Sequence, residues 1–136
     1  GLLDTDPLWQ ALDRAFREIK GVADRSVARL MAELPEIGTI SNKAIAKLVG
    51  IAPIANDTGK RKGRRPVRGG RAAPRALLFT IAEIVRRYVP DFADFHQKLS
   101  QAGKAKKVIR VALARKLLVR LNAKARDVRR QLALAA

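Results

Sequence analysis

The sequence predicts an all-α fold: a compact helical domain with a helix-hairpin-helix-like N-terminal part, a long basic glycine-rich loop and a long C-terminal helix. Three observations carry this. Apolar residues recur at three- and four-residue spacing through most of the chain, the period of a buried helix face. Residues that cap or break helices stand at the ends of those runs. One punctuated, strongly basic stretch separates the two helical halves.

Residues 7–19 place Leu8, Leu12, Ala15, Phe16 and Ile19 on one stripe, with Asp6 suited to cap and Pro7 to the first turn. Gly21 breaks the pattern. Asp24 is then expected to cap a second helix bearing Val27, Leu30, Met31 and Leu34, which Pro35 closes. Ser41 caps a short third helix with Ile45, Leu48 and Val49, and Gly50 ends it. Residues 50–73 hold five glycines and two prolines. They read as an ordered turn over 50–58 and a mobile basic loop over 59–70, with room for a short strand near Val67.

From Pro74 the helical period returns through Leu77, Leu78, Ile81, Ile84, Val85 and Tyr88, until Pro90 stops it. A short helix over 91–101 follows, with Phe92, Phe95 and Leu99 inward and Gly103 at its end. The last helix spans about 104–134. Its residues Val111, Ala114, Leu118, Leu121, Ala125, Val128 and Leu132 form a 3-4 seam of about three heptads. A helix of roughly 45 Å is too long for so small a domain to cover, so its end is expected to protrude and pair with another helix, as a coiled coil or homo-oligomer. The organisation expected is a helical part (1–49), a turn and basic loop (50–73), and a basic helical part with the protruding helix (74–136).

The chain has 136 residues, enough for one domain with a real core, and 48% are apolar. It has no cysteine and one histidine, His96, so cysteine-ligated zinc and histidine-rich metal sites are excluded. No apolar run approaches the roughly 20 residues a membrane span needs. The first residue, Gly1, reads as the start of a fragment or of a processed chain. The formal charge is +17, and its distribution is uneven. Residues 1–57 hold seven Lys/Arg and eight Asp/Glu, whereas residues 58–136 hold 22 Lys/Arg and four Asp/Glu. A basic face of this kind meets phosphate, because neutralising phosphates releases condensed counterions. Aromatics are only 4%, too few for a stacking platform along a single strand.

Three segments are candidates for contact with nucleic acid. The corner over 19–30 resembles a helix-hairpin-helix DNA-binding element. That element has glycines on both sides of an apolar residue; Gly21-Val22-Ala23 keeps only the first, so an ordinary helix corner accounts for it as well. The second is the basic loop, where Lys60, Arg61, Lys62, Arg64, Arg65, Arg68, Arg71 and Arg75 occur with no acid among them. It lacks the spacing of a nucleotide-hydrolysing phosphate loop. The third is the last helix, where Lys104, Lys106 and Lys107 open a run continued by Arg110, Arg115, Lys116, Arg120 and Lys124; part of that run is ordinary solvation. The carboxylates form no catalytic group: Asp91 and Asp94 fit capping and helix-dipole roles. Asn56-Asp57-Thr58-Gly59 is a turn signal carrying a hydroxyl. Attack on a phosphodiester would need neighbouring cations, which Lys60, Arg61, Arg64 and Arg65 could supply, and a base, for which there is no obvious candidate.

Residues 30–127 resemble the C-terminal domain of insertion-sequence transposases that join an N-terminal RuvC-like (DEDD) domain to a serine-bearing C-terminal domain, a plan shared with the pilin-gene invertases. The stretches concerned are LMAELPEIGTISNKAIAKLVGIAP, NDTGKRKGRRPVRGGRAAPRAL and FHQKLSQAGKAKKVIRVALARKLLVRLNA. The resemblance implies DNA binding and strand transfer by a bacterial, cytoplasmic, nucleoid-associated protein acting as a multimer, in some members with an element-encoded guide RNA. It implies a nucleophilic serine in the turn after Gly-[Leu/Val/Ile]-Ala-Pro. That position is Thr58 here, in Asp-Thr-Gly, where a methyl group crowds in-line attack. It also implies that a divalent metal belongs to the upstream acidic domain, with no cofactor in this chain, so the chain alone should bind nucleic acid without recombining it. A non-catalytic basic module, nucleoid- or ribosome-associated, is the alternative. A protein-interaction domain using the last helix is a third reading.

Overall fold

The computed structural model describes residues 6–53 and 70–136. Among them are six helices and no strand: α1 (Pro7–Arg17), α2 (Asp24–Glu33), α3 (Asn42–Val49), α4 (Ala72–Tyr88), α5 (Pro90–Gln101) and α6 (Lys106–Ala135). The all-α expectation holds. The 50–58 turn, the loop over 59–69 and the strand near Val67 lie outside the described residues, apart from 50–53.

Local chemistry sets several helix ends. Asp6 accepts the Leu8 N–H at 2.8 Å, with Pro7 in the first turn of α1. Ser41 Oγ accepts the Ala44 N–H at 3.0 Å and so caps α3, which ends at Gly50 with φ +88°. Two caps expected from the sequence are corrected. Asp24 is the first residue of α2, behind Ala23, and makes no capping bond. Asp91 lies inside the first turn of α5, and its carboxylate turns to Arg120 and Lys116 on α6. Pro90 begins α5 rather than merely ending α4, its missing N–H costing nothing in a first turn.

α6 is the hub, packed on α1, α3, α4 and α5. Two of its stripes are fully buried, Ile109-Leu113-Leu117 and Ala114-Leu118-Leu121-Ala125, while Val111 and Val128 pack against the same core. The chain's own helices thus cover the seam as far as Val128. Beyond that the helix is largely exposed; Leu132 is half-buried and Leu134 is 79% exposed.

Two corners need glycine. Gly21 has φ +104°, and a Cβ there would lie 3.0 Å from the Cα of Val85 in α4. Packing against α4 thus accounts for this glycine, without a phosphate. The corner joining α2 to α3 repeats the apolar–glycine pattern with buried Ile37 and with Gly38 at φ +84°. Gly38 lies against α6, where a Cβ would fall 2.6 Å from that of Ala125.

That corner is clamped by α6 side chains. Asn122, fully buried, accepts from Gly38 N–H at 2.7 Å and donates Nδ2 to Ile40 O at 3.0 Å and Asn42 Oδ1 at 2.9 Å. Arg129 donates Nε to Ile37 O and Nη2 to Pro35 O, at 2.9 and 3.1 Å. A buried amide is tolerated because both its ends are satisfied.

Candidate nucleic-acid interface

The described residues on either side of 54–69 meet at the C-terminal end of α3. On the departing side, buried Ile51 donates its N–H to Ala46 O at 2.9 Å, and its carbonyl accepts from Arg115 Nε at 2.9 Å. On the returning side, Arg71 N–H donates to Leu48 O at 3.1 Å. Gly70 is wedged against α3, where a Cβ would meet Gly50 Cα at 2.9 Å. Thr58, Lys60, Arg61, Lys62, Arg64, Arg65 and Arg68 all belong to that stretch and lie outside the described residues.

Two further bases expected at the interface are half-buried and bonded within the domain. Arg71 forms a bidentate pair with Glu36, its two Nη atoms donating at 2.7 and 2.6 Å. This hydrogen-bonded pairing holds the Glu36 carboxyl below its ordinary pKa and raises that of Arg71. Arg75 is half-buried and donates to Val49 O at 3.4 Å. These two arginines staple the returning end of the segment to α2 and α3.

The bases at the start of α6 and along it divide by position. Lys104, Lys106 and Lys107 are exposed and make no ion pair among the described residues. They surround a helix start without an acid in its first turn or a side-chain cap, so backbone N–H groups and lysines point to the same solvent. Four bases farther along α6 are tied down. Arg110 stacks on Phe79 at 4.8 Å, Arg120 pairs with Asp91 at 2.8 Å, and Lys124 pairs with Glu18 at 2.7 Å. Lys116 lies 5.2 Å from both the Phe92 and Phe95 rings. The partners respond: hydrogen bonds from Lys124 and from Arg120 lower the pKa of Glu18 and of Asp91.

Sequence reasoning missed Lys43 and Lys47. Both are exposed on α3, one turn apart, and neither has an ion pair among the described residues. They were hidden because residues 1–57 are nearly neutral in sum. Spacing four residues apart on a capped helix was the signal available. Among the described residues no three His, Asp or Glu side chains stand together as a metal site would require, and none of the helices is long and apolar enough to cross a membrane.

Among the described residues, the helical hub and the unpaired lysines make this a basic all-helical domain. The sequence model of the IS116/IS110/IS902 transposase family matches residues 13–97, well over half of the chain, and the chain belongs to that family. The match runs from α1 into α5, starting upstream of the stretches compared above and leaving out α6. No curated protein and no solved structure matches the chain.

Proposed function

We propose that this chain is the DNA-contacting and strand-transfer domain of an insertion-sequence transposase. The single observation that carries the reading is the family membership joined to the charge asymmetry: the surplus begins at Thr58, inside a stretch whose two ends are stapled to α3. In this reading Lys60, Arg61, Lys62, Arg64, Arg65 and Arg68 neutralise the DNA backbone, and Lys104, Lys106 and Lys107 add a second contact at the start of α6. Arg71 and Arg75 serve chiefly to hold the segment's end.

The hydroxyl of Thr58 takes the place of the family's serine. A RuvC-like domain upstream, outside this chain, supplies the acids for a divalent metal; the described acids of this chain do not converge for that purpose. Kinship with the pilin-gene invertases, multimeric action and use of a guide RNA belong to the same proposal. One observation favours the non-catalytic alternative, the extra methyl of Thr58 beside the attacking oxygen.

Strand exchange by the complete transposase carrying Thr58→Ala and Thr58→Ser decides between them. Loss with alanine and retention or gain with serine supports Thr58 as nucleophile. Unchanged exchange with both variants removes it from the chemistry.

A further inference from the structure

We propose that the groove between α3 and α6 rimmed by Lys43, Lys47 and Arg115 binds one unpaired nucleotide of a DNA strand, the phosphate on the three cations and the base on the apolar floor. This rests on the DNA-contacting reading above and names a ligand and a place that reading lacks. The groove is open to solvent with a volume of about 570 Å³, and Ala46, Ala52, Pro53 and Val119 line its apolar floor. Pockets of roughly 300–1,000 Å³ suit ligands of this size.

Its charge is unbalanced. Among the described residues no Asp or Glu lines it, and Lys43 and Lys47 have no counterion. On the same helix as Arg115, by contrast, Lys116, Arg120 and Lys124 each reach a carboxylate. Arg115 is pinned through Nε to the Ile51 carbonyl, which fixes the plane of its guanidinium while leaving both Nη groups without a bonded partner among the described residues. Burial pushes its pKa down, so the charged form stands to gain from an incoming anion. Three cations with no acid select an anionic ligand. The floor adds a second requirement, because an inorganic anion would leave that apolar surface uncovered. Within a duplex the base faces are stacked away, so only an unpaired nucleotide offers a phosphate and a flat apolar face together.

The test is fluorescence anisotropy of the 136-residue chain with a blunt duplex and with the same duplex carrying one bulged nucleotide. The bulged duplex is expected to bind about fivefold tighter or more, roughly 1 kcal/mol. Lys43→Ala with Lys47→Ala, both at exposed positions, removes that preference, and Val119→Trp, which fills the groove, does the same. Lys104→Ala with Lys107→Ala weakens both duplexes alike and keeps the preference. Equal binding of the two duplexes by the unaltered chain, or a preference that survives the Lys43/Lys47 change, overturns the groove proposal alone. Failure to bind either duplex overturns the DNA-contacting reading and the groove with it.

Discussion

The Oδ1 of Asn122 accepts the backbone N–H of Gly38 at 2.7 Å, fully buried and across 84 residues of sequence. This bond seats the corner before α3 on the central helix. Asn122→Ala leaves that N–H and the Ile40 carbonyl without their partner, at a cost of about 2–4 kcal/mol. Gly38→Ala drives a methyl into Ala125 at positive φ and costs roughly as much. Gly103→Ala has the same backbone sign but open space around it, and should cost only about 1 kcal/mol. Denaturant melts of the three variants check that order.

Acid should unfold the domain through its paired carboxylates. Glu36, Glu83 and Asp91 have lowered pKa values, each chiefly from a hydrogen bond to arginine: Arg71, Arg86 and Arg120. A carboxyl with a lower pKa when folded contributes stability that is complete above its unfolded pKa, about 4.3 for Glu and 3.9 for Asp. The contribution is lost as pH falls through the folded value. Melting temperature should therefore drop in the window below about pH 4. Glu36→Gln should lower it at neutral pH and flatten the acid slope, and an unchanged slope would show that the Arg71 pair is inert.

The bases make unequal contributions to DNA binding. Replacing Lys104, Lys106 and Lys107 by alanine should weaken duplex binding and reduce the salt slope by about 1 for each phosphate contact removed, with little change in melting temperature. Arg71→Ala should act the other way, lowering the melting temperature while leaving the salt slope unchanged. Quantitative gel shifts and thermal melts on both variants separate the two effects.

Much of the fold was legible because helix ends are local. Asp6, Ser41 and Gly50 act within a few residues of where they stand, and spacing alone reveals the stripes of α1 through α5, save that Ile84 and Tyr88, on the stripe read for α4, are exposed. Asp91 was not, because its carboxylate chooses between its own helix start and Arg120, and only packing brings Arg120 near. The seam on α6 was legible as a pattern but not in its use. A 3-4 stripe looks the same whether a partner or the chain's own helices cover it, and the second stripe through Ile109, Leu113 and Leu117 makes α6 a hub. The interface was blurred for a related reason. Charge counts cannot distinguish a lysine facing solvent from an arginine bonded to a carbonyl, as Arg115 and Arg129 are. They also conceal Lys43 and Lys47 in a part of the chain whose sum is near zero.

Affinity of the chain for a random-sequence DNA duplex, measured as salt is raised, tests the proposed DNA-contacting role most directly. Contact with six phosphates gives a log–log slope of about −5. A slope in that range, reduced when Lys104, Lys106 and Lys107 are replaced, is the expected result. A flat slope contradicts it and leaves the domain as a protein-interaction module.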